Sequence, residues 1–209
     1  MKPIITAVQY AESTLPEDMI FPGGDKNRSQ PIVFRLYLID LDRRRILVDA
    51  GCETMPGFDM KHFVAPPKAL RGIGVAPDAI TDLVITHAHH DHIECTKDFP
   101  NATVHIHKDA YERGKKYIPE GFAVHLFDGD FTLAEGVEVR VIGGHARGSS
   151  IVVVGTGEKK TAIIGDECYK RECLKKKIPT GNSVSPERSL EFINEYSREC
   201  YEILLAHDQ

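Results

Sequence analysis

The chain has 209 residues, of which 42% are apolar and 27% charged, with a formal net charge of -5; this balance excludes a disordered or membrane-embedded polypeptide and suits one substantial core better than two. The acidic excess disfavours nucleic acid as a partner, because phosphate binding relies on concentrated positive charge. No run approaches the roughly 18 apolar residues of a membrane span, the first residues lack a signal-peptide pattern, and the five cysteines (Cys52, Cys95, Cys168, Cys173, Cys200) are scattered and odd in number, so a cytoplasmic protein with reduced thiols and no membrane partner is expected.

In chain order, residues 4–11 and 31–41 read as strands, and a charged turn at Asp42 and Arg43 leads into a third at 46–51. Residues 52–77 are rich in Pro and Gly and read as a loop, with a short helix predicted at 67–73. An apolar strand at 82–87 runs into a histidine cluster. Residues 102–108 form another strand, 109–117 one or two helical turns, and 123–144 a strand, a turn and a strand. Residues 149–166 read as a hairpin turning at TGEKK. The clearest helix starts after Ser185, where Ser caps, Pro186 takes the first position and Glu187 suits the positive end; Leu190, Ile193, Tyr196 and Cys200 are predicted on one face. A last strand spans 202–208. Strands with interspersed helices predict an α/β layered domain with mixed sheets, undivided by any linker or low-complexity tract.

Residues 87–92 read His-Ala-His-His-Asp-His, four of the ten histidines beside an aspartate. His87 and His89 are two apart, so at a strand end they need a bend to converge, whereas a helical pair would be spaced by four. Asp91 and His92 open a helix on which neighbours point about 100° apart, so one group can serve one metal and the other a second. Imidazole and carboxylate packed this densely would otherwise repel or go unsatisfied. His62, His105, His107 and His125 require no such role; for His105 and His107 a shared sheet face is explanation enough.

Three further stretches repeat the pattern of an apolar strand delivering one polar group: RVIGGHARGSS delivers His145 between glycines, TAIIGDECY delivers Asp166, and EILLAHD delivers His207. With the first cluster they make five imidazoles and two carboxylates. That donor set suits zinc, with iron and manganese as alternatives, and not an all-oxygen calcium site.

The ordered set of DAG at 49–51, HAHHDH at 87–92, GGHARGS around His145, GD at Asp166 and the final His207 resembles the metallo-β-lactamase superfamily over nearly the whole chain. The resemblance implies a four-layer αββα sandwich of two mixed β-sheets flanked by helices, one domain over 1–209, with two divalent metal ions at one edge of the sheets. His87, His89 and His145 would hold the first ion, Asp91, His92 and His207 the second, with Asp166 bridging. Asp49 would orient a ligand, and His90 is left to the cleft.

Two such ions share a water, lower its pKa toward neutrality and polarise an ester, lactone, thioester or amide carbonyl. Tyr169, three residues after Asp166, resembles the N-acyl-homoserine lactonase branch, whose equivalent phenol hydrogen-bonds the substrate carbonyl and the developing oxyanion. Residues 170–179 and 185–193 resemble that branch in rhythm. The expected catalytic residues are therefore Tyr169 and Asp91, the latter donating a proton to the leaving alkoxide. The expected activity is opening of an N-acyl-homoserine lactone-like lactone or related ester; the alternatives are thioester or aryl ester hydrolysis, or a metal-binding module without activity. The partner is a small molecule, and a homodimer is left open.

Departures from the family pattern are Ile93-Glu94-Cys95, where the family usually has glycines and Glu94 could charge or crowd the cleft, and Ala146-Arg147, where it often has a Thr-Pro or Ser-Pro pair. Residues 52–77 are expected to wall the substrate. Glyoxalase II carries a helical domain after its last metal histidine, superfamily nucleases need an RNA-binding insertion, secreted β-lactamases carry a signal peptide, and the di-iron reductases have a carboxylate at the position of His89; each is disfavoured. The basic run from Lys170 to Lys177 reads as a solvated face. His207 lies two residues from the chain end, so either the second ion is weaker or a partner subunit or neighbouring loop braces that end.

Overall fold

A computed structural model describes residues 2–209. In chain order the elements are β1 (Ile4–Pro16), α1 (Glu17–Ile20), β2 (Ser29–Leu41), β3 (Arg44–Val48), α2 (Pro66–Gly72), β4 (Asp82–Ile85), α3 (His90–Ile93), β5 (Thr103–His107), α4 (Lys108–Gly114), β6 (Val124–Phe127), β7 (Phe131–Ala134), β8 (Val137–Val141), β9 (Ser150–Val154), β10 (Lys160–Ile163), α5 (Arg171–Lys176), α6 (Pro186–Tyr196) and β11 (Tyr201–Leu204). One sheet has the order β1-β2-β3-β4-β5-β6 and the other β11-β10-β9-β8-β7. Both are mixed: β3 to β6 run parallel while β1 to β3 are antiparallel, and β11 lies parallel to β10 in an otherwise antiparallel sheet.

The period-two alternation of the strands sorts their side chains into three apolar layers. In β2, Leu36 and Leu38 face a layer shared with Leu70 of α2, Ile93 of α3 and Ala110 of α4. Tyr37, Ile39 and Leu41 face the space between the sheets, where they meet Val137, Val139, Val152 and Val154. Ile151 and Val153 of β9 face outward onto Phe192, Ile193 and Tyr196 of α6. Strands buried on both faces read as continuous apolar runs, which is why SIVVV is nearly free of polar residues. The outcome is the four-layer αββα sandwich, with the C-terminal ends of β3 and β4 and the turns after β8, β10 and β11 converging at one edge.

The structure departs from the sequence expectation in four places. Residues 123–144 hold three strands: β6 is the last strand of the first sheet and pairs with β5, and the chain then crosses at 128–130 to begin β7 of the second sheet. The inward face of α6 is Ser189, Phe192, Ile193 and Tyr196; Leu190 is exposed and Cys200 lies beyond the helix. This face follows the i, i+3, i+4, i+7 rule with a serine at its first position, tolerated because Ser183 Oγ lies 2.6 Å from Ser189 Oγ. Residues 171–176 form α5, a helix the sequence reading did not place, with Cys173 and Leu174 buried, while Arg171, Lys175, Lys176 and Lys177 are exposed as read. The hairpin of β1 and β2 extends to Pro16 and Ser29. No helix among the described residues is long and apolar enough to cross a membrane.

Candidate metal centre

Strand β4 supplies three buried apolar residues and ends at Ile85, so Thr86 and His87 emerge at the sheet edge. Beside it, β3 delivers Asp49 in the left-handed region at φ 65°, a conformation aspartate tolerates better than most residues. That turn aims a buried carboxylate at three donors: Thr86 N at 2.8 Å and Thr86 Oγ1 at 3.0 Å, and His92 Nδ1 at 2.7 Å. Asp49 thus binds no ion position itself but fixes the strand end and one histidine.

Two groups of donors form. His87, His89, His145 and Asp166 make one, and Asp91, His92, Asp166 and His207 the other, with the donor atoms of each within 4.8 Å of one another. In the first, His87 Nε2 and His145 Nε2 both converge on His89 Nδ1 at 2.9 Å, and Asp166 Oδ2 lies 3.6 Å and 3.5 Å from them. In the second, Asp166 Oδ1 lies 3.2 Å from His92 Nε2 and 3.1 Å from His207 Nε2; Asp91 Oδ2 lies 3.5 Å and 3.4 Å from the same nitrogens. One carboxylate therefore turns an oxygen to each group. The structure brings all seven sequence-expected ligands together.

Hydrogen bonds behind the rings set the tautomers. His92 Nδ1–H donates to Asp49, His207 Nδ1–H donates to the Val33 carbonyl at 2.8 Å, and His87 Nδ1 lies 3.1 Å from Thr86 Oγ1, whose own proton goes to Asp49. In each ring the Nε2 lone pair is left facing inward. His92 Nε2, His207 Nε2 and Asp166 Oδ1 are buried with no hydrogen-bond partner among the described residues, an arrangement that costs stability unless a cation accepts the lone pairs.

The electrostatics agree. Burial pushes His87 and His145 down, His145 to about 4, so these rings are neutral. Burial also opposes charge on His92 and His207, yet Asp166 and the neighbouring carboxylates outweigh it and raise both. Burial alone would raise Asp166, but His92 and His207 hold it well below the usual carboxylate range. The second group attracts positive charge from whatever can supply it, and a divalent ion fits both its charge and its lone pairs.

Glycines admit these turns. A Cβ on Gly165 would meet Thr86 Oγ1 at 2.8 Å, one on Gly144 would meet Glu167 Oε2 at 2.5 Å, and both places are immediately before a ligand. Glu167 was not singled out in the sequence. It is buried, which pushes its carboxyl up to about 7, and it accepts from His145 N at 3.1 Å and Ser149 Oγ at 2.5 Å, holding the loop that presents His145. Only the adjacency to Asp166 could have signalled it.

The remaining expectations are placed as follows. Tyr169 is buried, its ring packs between His145 and His207, and its hydroxyl oxygen accepts from Asn182 Nδ2 at 3.1 Å. Burial, then the Asp166 charge, raises its pKa well above the ordinary value, so it is a protonated donor at neutral pH. His90 is bonded to Tyr117 and Glu94 and faces the cleft. Glu94 does not line the cleft; it turns toward residues 53 and 54. Arg147 is exposed. His105 is held by Asp82 at 2.9 Å and His107 accepts from Asp109 N at 3.1 Å, both away from the metal groups. The end bearing His207 is braced by a neighbouring strand: besides the Val33 bond, Val33 N donates to the His207 carbonyl at 3.2 Å and Lys170 pairs with Asp208 at 3.2 Å.

A cleft of about 320 Å³ opens onto the second group. Its polar end is His89, His90, Asp91, Asp166, Tyr169, Asn182 and His207, and its other wall is Leu15, Met19, Ile32, Phe34, Met55 and Phe58.

The family pattern of the metallo-beta-lactamase superfamily matches residues 36–193. Human metallo-beta-lactamase domain-containing protein 1 is 39% identical over 101 residues, covering 47% of this chain and 36% of that protein, so the match spans about a third of the human protein. An N-acyl homoserine lactonase of Bacillus thuringiensis is 24% identical over 181 residues, 75% of this chain and 72% of the other. Among solved structures, an N-acyl homoserine lactone hydrolase with its product N-hexanoyl-L-homoserine bound at the catalytic metal centre superposes with a TM-score of 0.85 over 99% of this chain and 93% of that one, at 19% identity, a likeness of fold.

Proposed function

Since the chain belongs to the metallo-beta-lactamase superfamily and is a metal-dependent hydrolase, we propose that it opens lactones bearing an apolar acyl substituent, in the manner of an N-acyl homoserine lactonase, with two divalent ions. His87, His89 and His145 would hold one ion, Asp91, His92 and His207 the other, and Asp166 both; zinc is the ion this donor set suits best, ahead of iron and manganese. When bound, such ions supply Lewis acidity at a carbonyl oxygen and lower the pKa of a water.

The protein's own groups do the rest. Tyr169 donates its phenolic proton to the carbonyl oxygen, where negative charge develops. Asn182 donates to the phenolic oxygen, so the phenol's own proton is not spent on it and can be offered to the substrate. Asp91, buried beside His92 and His207, would take the proton released by the attacking water and pass it to the leaving alkoxide. The apolar wall excludes water and orients the acyl substituent.

The observation that carries this reading is the cleft itself, in which a wall of six apolar side chains ends on Asp91, Asp166, Tyr169 and His207. The cleft lining has no lysine or arginine, so outside the metal groups it offers an acyl substituent apolar contact and offers an anionic one no cationic side chain. The test is a pH-stat comparison of N-hexanoyl-homoserine lactone, γ-butyrolactone, a thioester and an aryl ester on zinc-loaded protein. The acyl lactone is expected to be the best substrate; faster turnover of the thioester or aryl ester, or no lactone turnover, overturns it.

A further inference from the structure

The apolar wall is not built wholly from regular structure. Met55 and Phe58 lie on the segment between β3 and α2, which has no helix or strand of its own before Pro66. Its far end is fastened to β1: Ser13 Oγ donates to the Asp59 carbonyl at 2.9 Å, Glu12 and Lys61 exchange backbone bonds, and Val64 N donates to the Tyr10 carbonyl. Between these points Phe58 N closes one turn onto the Met55 carbonyl at 2.9 Å.

The near end is held differently. Glu94 Oε2 accepts from Glu53 N at 2.8 Å and Thr54 N at 3.3 Å. Neither amide has another acceptor among the described residues. The same oxygen lies 3.0 Å from His90 Nε2, and His90 Nδ1 lies 3.0 Å from the Tyr117 hydroxyl. Tyr117, His90, Glu94 and the 53–54 backbone thus form one strut from the end of α4 to the substrate wall. Two successive amides gathered by one carboxylate are a charge-assisted clasp; two weaker ties stand beside it, Thr54 Oγ1 3.5 Å from His90 Nε2 and the exposed Lys97–Glu53 pair at 3.2 Å.

We infer that Glu94 determines acyl specificity: it is the residue that holds the Met55–Phe58 wall in place before substrate arrives. The inference rests on the lactonase reading, since it concerns what that cleft admits. Glu94 lies outside both donor groups and the cleft lining; besides the wall it reaches His90, which lines the cleft, so its effect on the acyl chain runs through the 53–58 segment and that ring. Without the carboxylate, the loop must be ordered by each substrate as it binds, and that cost falls on lactones whose acyl chain uses the wall.

The experiment measures kcat and KM for N-hexanoyl-homoserine lactone and γ-butyrolactone, with hydrogen exchange of the 53–58 amides as a readout that needs no turnover. For Glu94→Ala the KM of the hexanoyl lactone rises about five- to tenfold while its kcat and the γ-butyrolactone KM change less than about twofold, and exchange at 53–58 accelerates. Glu94→Gln keeps an acceptor oxygen at the same reach but loses the charge, and stays closer to wild type than Glu94→Ala in both KM and protection. Glu94→Asp, one methylene shorter, behaves like Glu94→Ala and serves if the alanine variant fails to fold. Equal KM changes for both lactones, a Gln variant that matches the Ala variant, or unchanged exchange overturns the inference. If wild-type protein opens no lactone, the functional reading fails, and the exchange of 53–58 in the variants still decides whether Glu94 holds the wall.

Discussion

His207 and Val33, 174 positions apart, are joined by two hydrogen bonds, from the histidine Nδ1 to the valine carbonyl at 2.8 Å and from the valine amide to the histidine carbonyl at 3.2 Å. Ring and backbone are both fixed, so the histidine near the chain end is as firmly set as those within it. If a second ion is held there, its site is expected to be no weaker for lack of support. His207→Ala is expected to lower bound metal from about two equivalents to about one, by elemental analysis after gel filtration, while leaving the fold intact by circular dichroism. Chelation of the wild-type protein should lower its melting temperature, and zinc should restore it, because an ion that binds only the folded state stabilises it by mass action.

Asp49 holds His92 and the Thr86 end of β4 together. Asp49→Asn replaces an acceptor oxygen with a donor amide, so either His92 Nδ1 or Thr86 loses its partner. Metal affinity should fall about 10- to 100-fold, the usual consequence of removing such a supporting carboxylate. Competition against a chromophoric chelator measures it, and unchanged affinity would mean that the ring is held by packing alone.

Tyr169→Phe removes the proton offered to the carbonyl oxygen. A kcat lower by about 10²-fold with little change in KM is expected, the scale seen when one oxyanion donor is removed. Asn182→Ala should lower kcat by less, and add nothing further in the phenylalanine background, since it acts through the phenol. Steady-state kinetics of the two single variants and the double variant decide the matter.

The pH dependence of stability has a source remote from the metal groups. Burial would raise the Asp82 carboxyl, but hydrogen bonds from His105, Arg44 and Thr81 together hold it well below the usual carboxylate range. The unfolded carboxylate titrates near 3.9, so below about pH 4 the unfolded chain binds a proton that the folded one refuses, and stability contributed above that point is lost as pH falls toward the folded value. Asp82→Asn should cost on the order of 2 kcal/mol at pH 7 and flatten the fall in stability between pH 5 and pH 3, as read by urea denaturation at each pH.

The candidate metal donors were legible because His87, His145, Asp166 and His207 follow apolar runs, where a polar side chain has no part in the core, and because four of the seven crowd into six positions. The same logic located most strands and both hairpins. It failed where the decisive partner lies far away in sequence. Nothing in DGDF says that the chain changes sheets between Phe127 and Phe131, because a loop and a crossover are written in the same residues. Leu190 fits a helical stripe as well as Phe192 does, and only the position of β9 against α6 decides between them. Glu94 and Asn182 act through backbone amides or a single phenol, contacts that leave no periodic trace. Glu167 was hidden by its neighbour Asp166, since a carboxylate pair reads as one acidic spot until burial separates their roles.

The bond between Val33 and His207 also ties the two sheets together at the site, since Val33 belongs to β2 and His207 follows β11. Each donor group is shared in the same way: His87 and His89, or Asp91 and His92, come from the turn after β4 of the first sheet, and His145, Asp166 and His207 from turns of the second. Neither group can form on one sheet alone, so the constellation is itself a report that the sandwich has closed.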